Sequence, residues 1–116
     1  MGLIAALAVG IGGAAGAVSR YAVSLAIERR ALDTIVVNVA GSFALGVVLG
    51  VGFEGPARLA LGVGFCGAFT TFSSFAVETV GLAEDGEWIV AALNAFGTLL
   101  FALLAVGTGR MVAAAI

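Results

Sequence analysis

The stretch GFCGAFTTFSSF, residues 64–75, combines glycines, four hydroxyl side chains and four phenylalanines within an uncharged run. Paired threonines and paired serines favour local hydrogen bonds between side chain and backbone, which compete with a helix. At membrane depth, non-helical backbone is tolerated only where it is buried in protein or lines a polar cavity. We therefore predict that a membrane helix is broken near residues 67–71, at a site that handles ions.

Charge is scarce on both sides of this stretch. Only 10% of the 116 residues are charged, against roughly a quarter in a soluble domain. Four charge-free runs each have about the 20 residues that a helix needs to cross a bilayer. They predict an all-α integral membrane protein with four transmembrane helices, the third of them broken. We expect one domain, residues 1–116, with spans at about residues 2–27, 34–53, 57–82 and 88–113, where Pro56 starts the third helix and Trp88 anchors the fourth.

The composition argues against several functional classes. The chain contains one cysteine, Cys66, and no histidine, so neither a disulfide framework nor a Cys/His metal site is expected. No motif indicates covalent catalysis, and no basic patch indicates nucleic acid. We therefore expect a protein that is not an enzyme and that contacts membrane lipid rather than nucleic acid.

The arginines, which are the only basic residues, are nearly balanced between the two sides of the membrane. Four spans put both termini on one side together with Arg58 and Arg110. Arg29 and Arg30 fall on the other side, joined by Arg20 if it reaches out of the first helix. The positive-inside rule therefore favours neither orientation, and an antiparallel dimer becomes possible.

Two glycine motifs present small faces for close helix approach. They are Gly12-x-x-x-Gly16 in the first helix and Gly46-x-x-x-Gly50 in the second. Each motif has two interpretations, packing within one subunit or a contact between subunits. The sequence alone does not choose between them.

Polar side chains recur on single faces of the second and fourth helices. Thr34, Asn38 and Ser42 are four residues apart, as are Asn94 and Thr98, so each set lies on one face. A serine or threonine can bond its own helix backbone, but a helix cannot satisfy both donors and the acceptor of an asparagine amide. The alignment of both asparagines with hydroxyls therefore favours a shared polar track.

A further polar and aromatic face follows the predicted break. Phe72, Phe75 and Glu78 recur every three residues, with Thr71 and Ser74 beside them. Amides, hydroxyls and the edges of phenyl rings are the donors that a dehydrated anion needs. Glu78 is expected either at a pore mouth or at the membrane interface. Arg20 is expected either to draw anions into a vestibule or to extend to the headgroups.

The predicted break also frees backbone carbonyls. Those of Gly67 and Thr70 would suit a hard cation such as Na⁺, which prefers oxygen ligands. Two subunits would supply a cage of four carbonyls on the symmetry axis. A positive ion there would offset the cost of anions nearby.

At this point the residues match a known family. The segment GAFTTFSSF, residues 67–75, together with Glu78 resembles the signature of the CrcB/Fluc fluoride channels. The pattern GG-x-x-G-x-x-x-RY from Gly12 and the pattern VN-x-x-GSF from Val37 resemble the same family, so that the resemblance covers all four spans. It implies an antiparallel, dual-topology dimer with two pores. Such a dimer lies in the cell membrane of a prokaryote and exports fluoride passively, which relieves fluoride toxicity.

The resemblance also implies roles for single residues. Phe72 and Phe75 resemble the ring pair whose edges face fluoride, and Asn38 resembles the amide that meets the ion. A structural Na⁺ at the dimer centre would be held by the carbonyls of Gly67 and Thr70. The other predicted pore residues are Thr34, Ser42, Ser74, Glu78, Asn94 and Thr98, with Arg20 in the vestibule.

Three positions depart from the family pattern. Asn94 stands where many members have tyrosine, and Ala68 stands where a second glycine is common. Ala102 replaces a hydroxyl one turn beyond Thr98, which removes a donor from that end of the track. Some members also pair two different subunits, so the expected partner is a second copy or a related chain.

Two other functions compete with fluoride export. Small multidrug resistance transporters, which are proton-coupled exporters of organic cations, are also four-span dual-topology dimers. They depend on a glutamate in the first helix, where this chain has no acidic residue before Glu28. A non-transporting assembly subunit would explain the glycines but not the aligned asparagines or the phenylalanine pair. Fluoride export is therefore the predicted function, and the cation exporter is the alternative.

Overall fold

The computed structural model describes residues 2–29 and 31–116, so that Arg30, predicted in the first loop, lies outside the described residues. This part of the chain contains four helices long and apolar enough to cross a membrane, the third being the interrupted segment Gly55–Glu84. The molecule is 47 Å long, close to the roughly 40–45 Å of a bilayer with its headgroups. Its elements are α1 (Leu3–Ala26), α2 (Leu32–Val51), α3 (residues 55–69), α4 (Ser73–Glu84) and α5 (Trp88–Ala114).

The ends of α2 differ from the prediction by two residues at each end. The prediction treated Asp33 as a loop residue, but it lies in the first turn, where a carboxylate interacts favourably with the helix dipole. At the other end Gly52 adopts a left-handed conformation, φ 81° and ψ 34°, and terminates the helix before the predicted Phe53. A glycine takes this conformation without steric cost.

The third span begins at Gly55 with Pro56 in its first turn, which confirms that the proline starts this helix. The span is two residues longer at each end than predicted, because Pro56 lies inside the first turn and the left-handed Gly86 follows the last. Within α3, Leu59–Cys66 forms a π-helix. The wide π turn has no signature in an almost uniformly apolar sequence, so it was not predicted.

Close backbone contact joins α1 to α3. A Cβ atom on Gly12 would overlap the Ala60 carbonyl, and one on Gly16 would overlap the Phe65 carbonyl. Gly64 faces back onto α1, where an added Cβ would lie 2.6 Å from the Val9 carbonyl oxygen. The first glycine motif therefore packs within the subunit.

The second close contact joins α2 to α5. A Cβ atom on Gly46 would overlap the Val106 carbonyl, and one on Gly109 would overlap the Phe43 carbonyl. At Gly50 it would lie 2.6 Å from the Cβ of Ala113. For both motifs, packing within one subunit is the interpretation that agrees with the structure, and small residues allow the two backbones to meet. A smaller contact between α2 and the third span brings Asn38 of α2 next to the break.

Candidate functional site

The break in the third span begins at Thr70. This residue has extended dihedral angles, φ −81° and ψ 163°, while its hydroxyl donates to the Cys66 carbonyl at 2.8 Å and closes the last turn of α3. The non-helical residues are 70–72, so the predicted range of 67–71 placed the break too early. Gly67 remains helical, with φ −62° and ψ −39°, because glycine permits a bend but does not impose one.

Asn38 holds the break open from α2. Its Nδ2 donates to the Thr71 carbonyl at 2.9 Å, and its Oδ1 accepts from the Thr71 N–H at 2.8 Å. In a continuous helix that N–H would donate to the Gly67 carbonyl instead. The pair of bonds also fixes which way the amide points, because the donor must face the carbonyl and the acceptor must face the N–H.

Thr71 restarts the helix after the break. Its hydroxyl oxygen accepts from the Ser74 N–H at 3.2 Å, as an N-terminal cap does. The Ala76 N–H then donates to the Phe72 carbonyl at 2.9 Å. Thr71 was not among the predicted site residues, although a hydroxyl three residues before a helical N–H is a capping signal.

An open groove of about 600 Å³ lies beside the break and is mainly apolar. Five of the predicted pore residues line it together with both predicted sodium ligands. Ala102 also lines it, so the alanine does leave this part of the groove without a hydroxyl. The predicted residues brought together here are Asn38, Ser42, Phe72, Phe75, Thr98, Gly67 and Thr70.

The two phenylalanines of the site are close neighbours in the groove. The ring centroids of Phe72 and Phe75 are 6.0 Å apart and their planes are tilted by 45°. Phe72 is 78% exposed, whereas Phe75 is half-buried. Both rings line the groove, and the edges of phenyl rings carry partial positive charge.

A second, more polar cavity of about 270 Å³ lies on the other side of Thr71, which lines both spaces. Arg20, Thr34 and Ser74 line this cavity. The guanidinium of Arg20 points to the break, with Nη1 3.4 Å from the Thr70 carbonyl oxygen. Arg20 is thus directed to the break rather than away from the protein, and its role in an anion vestibule stays a prediction.

Thr34 and Glu78 are paired across α2 and α4. The buried Thr34 hydroxyl donates to Glu78 Oε1 at 2.9 Å. The other carboxylate oxygen, Oε2, is buried and has no hydrogen-bond partner among the described residues. Both residues were predicted in the track, and the structure joins them directly.

The two predicted residues on α5, Asn94 and Thr98, do not line the same space. Thr98 lines the groove, whereas Asn94 donates from Nδ2 to the hydroxyl of Thr79 at 2.9 Å. The Thr79 hydroxyl in turn donates to the Phe75 carbonyl at 2.7 Å. Thr79 was missed from the sequence, and its only signal was its position four residues after a predicted pore phenylalanine.

The sequence of this chain is similar to those of known proteins. The family model described as CrcB-like protein, Camphor Resistance (CrcB), matches residues 7–110. Fluoride-specific ion channel FluC 2 of Natronomonas pharaonis is 63% identical over 116 residues, which is the whole of both chains. The FluC 2 channel of Haloarcula marismortui is 54% identical over 101 residues, 85% of each chain. Fluoride-specific ion channel FluC of Nitratidesulfovibrio vulgaris is 43% identical, covering 89% of this chain and 94% of the relative.

Proposed function

This chain belongs to the CrcB family, and from that premise we propose that it is a fluoride-selective ion channel. It exports fluoride passively, down the electrochemical gradient, and so relieves fluoride toxicity. The observation that carries the proposal is the full-length identity of 63% with a protein named for this activity. The proposed location is the cell membrane of a prokaryote, and no catalytic activity is expected.

The groove supports selection of a small anion. Its polar groups are an asparagine amide and hydroxyls, and the Phe72 and Phe75 rings, whose edges carry partial positive charge, also line it. An anion that leaves water needs donors of this kind, and a second copy that narrowed this mostly apolar groove would leave no room for the hydration shell. Asn38 has two donors, of which the Thr71 carbonyl uses one. The second N–H of that amide has no hydrogen-bond partner among the described residues and could meet an anion.

The membrane potential supplies the direction of transport. No nucleotide-binding motif is present in the sequence. An inside-negative potential drives an anion outward by about 2.3 kcal/mol per charge per 100 mV. The alternative, a proton-coupled cation exporter, gains no support, because the relatives are named as channels and α1 contains no acidic residue.

We propose that two copies of the chain assemble in antiparallel, dual topology. The groove is open along one side of the subunit, and Phe72 projects from it with 78% of its surface exposed. A second copy would close the groove into a pore. In the sequence, Arg58 and Arg110 on one side are nearly balanced by Arg29 and Arg30 on the other, which gives insertion no strong preference. A related second subunit is the other possible partner.

The backbone at the break fits a structural cation, and we propose Na⁺ there. The N–H groups of Thr71 and Ser74, which in a continuous helix would bond the Gly67 and Thr70 carbonyls, bond Asn38 and the Thr71 hydroxyl instead. Among the described residues no group of three His, Cys, Asp or Glu side chains is placed to hold a metal. A cation would therefore rely on these carbonyls.

The surroundings of the two carbonyls leave space for an ion between subunits. A Cβ atom on Gly67 would meet nothing within 4 Å, so the partner subunit can approach closely. Arg20 lies 3.4 Å from the Thr70 oxygen, and this leaves the second lone pair of that carbonyl for the ion. When bound, Na⁺ would supply positive charge that offsets the cost of anions in the groove.

Light scattering and thermal unfolding test the dimer and its sodium. In sodium buffer we expect light scattering to give the mass of two chains. Replacing sodium by N-methylglucamine should lower the unfolding temperature, because an ion at 100 times its Kd stabilises by about 2.7 kcal/mol. Unfolding can be followed with a thiol-reactive dye, because the buried Cys66 thiol reacts with the dye once it is exposed. A monomer mass would contradict the dimer, and an unchanged unfolding temperature would contradict the sodium site.

Fluoride efflux from liposomes tests the function itself. With the purified protein, valinomycin and a potassium gradient, an ion-selective electrode should record release of fluoride. Chloride release, measured on the same vesicles, should stay at the level of protein-free liposomes. Equal release of both ions would contradict selectivity. No release from protein shown to be folded and dimeric would contradict the proposed homomeric channel.

A further inference from the structure

Thr79 connects α5 to the pore phenylalanine. It lies in α4, half-buried, one turn after Phe75. Asn94 Nδ2 donates to its hydroxyl oxygen at 2.9 Å, and its hydroxyl donates to the Phe75 carbonyl at 2.7 Å. We call this three-residue connection, Asn94 to Thr79 to Phe75, the Thr79 bridge.

The direction of the bridge is determined by the chemistry of one hydroxyl. Thr79 has a single O–H proton, and it is used in the hydrogen bond to the Phe75 carbonyl, because a carbonyl can only accept. The hydroxyl oxygen can then only accept from Asn94, so the amide nitrogen of Asn94 must face it. The bridge therefore fixes the orientation of the Asn94 amide as well as the position of the Phe75 backbone.

Comparison with Thr108 shows that Thr79 does more than donate a hydrogen bond to a carbonyl of its own helix. The Thr108 hydroxyl donates to the Leu104 carbonyl at 2.8 Å, which is the same four-residue bond that Thr79 makes. Within the described part of the chain, Thr108 accepts no hydrogen bond from another helix. The additional bond from Asn94 is what distinguishes Thr79.

The break makes such a bond important for α4. Because residues 70–72 interrupt the helix, the backbone of α3 does not determine how α4 is rotated about its axis. Packing against α5 and side-chain bonds to α2 and α5 do so instead. On the α2 side these are Asn38 to Thr71 and Thr34 to Glu78, and on the α5 side it is Asn94 to Thr79.

From this geometry we propose that Thr79 is a positioning residue for fluoride conduction, and this inference rests on the proposed function. The Thr79 bridge holds the first turn of α4 against α5, so that the Phe75 ring keeps a fixed place in the groove. Thr79 itself does not meet the ion. Without the bridge, α4 can rotate and the ring edge leaves the path.

Fluoride efflux per folded dimer is the measurement. Thr79→Val keeps the shape of the side chain and removes both bonds. The one that joins two helices is the bond from Asn94, and the loss of one hydrogen bond of typical strength should slow efflux about fivefold. Thr79→Ser, which keeps the hydroxyl, should restore most of the rate. Thr108→Val is the matched control and should conduct like the unmodified protein. Normalising to folded dimer matters, because a purely structural role would change the yield and not the rate.

A double-variant comparison tests the bridge as a unit. Asn94→Leu should slow efflux as much as Thr79→Val, and the combined variant should be no slower than either one. Effects that multiply in the combined variant would overturn the bridge, as would unchanged efflux in Thr79→Val. If Thr79→Val does not fold, Asn94→Leu provides the same test, and normal efflux in that variant would overturn the proposal.

A second readout separates this inference from the proposed function. If the unmodified protein conducts no fluoride, the channel proposal fails, and the bridge is tested by NMR of the Asn94 side-chain amide. Thr79→Val should shift that resonance and speed its hydrogen exchange, whereas Thr108→Val should not. An Asn94 resonance unaffected by Thr79→Val would overturn the bridge independently of transport.

Discussion

Replacing Asn38 by aspartate is expected to abolish fluoride efflux. The aspartate keeps an acceptor for the Thr71 N–H, but its second oxygen faces the Thr71 carbonyl where Nδ2 now donates at 2.9 Å. It also places a negative charge in the groove. Two like charges 4 Å apart repel by about 4 kcal/mol at an effective dielectric constant of 20, so passage should slow roughly a thousandfold.

A second variant at this position separates the two causes of this loss. Asn38→Leu removes both bonds to Thr71 without adding charge, so it should slow efflux less than Asn38→Asp does. The measurement is electrode-recorded efflux from liposomes with equal amounts of folded dimer. Efflux from Asn38→Asp close to that of the unmodified protein would mean that Asn38 only packs against the break. Equal losses in both variants would contradict the electrostatic part of the argument.

The membrane spans were predictable because the bilayer fixes their length and excludes charge. Charge-free runs gave four helices, and Pro56 located the start of the third. Helix ends were less accurate, since Asp33 is charged yet helical and Gly52 ends α2 before the predicted residue. Such ends depend on the helix dipole and on a single left-handed glycine. Counting apolar residues detects neither of these.

The break was predictable in kind but not in position. The hydroxyl-rich sequence indicated that helix and side chains would compete, and that competition occurs at Thr70 and Thr71. Asn38 decides the exact residue. It lies on another helix and forms hydrogen bonds with both the N–H and the carbonyl of Thr71. A contact across 33 positions of sequence depends on how α2 packs, and no local pattern contains it.

In the candidate site too, residue spacing predicted some positions correctly, whereas contacts between helices determined the others. Spacing of four residues correctly placed Asn38 and Ser42 along one groove. The same spacing on α5 predicted that Asn94 and Thr98 work together, and the structure separates them because Thr79 captures the Asn94 amide. Thr79 itself escaped notice, since a threonine in a helix ordinarily bonds only its own backbone.

Phe75 provides the second large effect. Replacing it by isoleucine should slow fluoride efflux roughly tenfold, because the ring edge is lost while an apolar side chain still fills the space, and specific aromatic geometry is worth about 0.5–1.5 kcal/mol beyond burial. The dimer mass should not change. Phe101→Ile is the matched control, since Phe101 is 58% exposed on α5 and does not line the groove. That control should conduct normally. If Phe75→Ile conducts like Phe101→Ile, the ring edges do not stabilise the ion, and donors such as the Asn38 amide must do so without them.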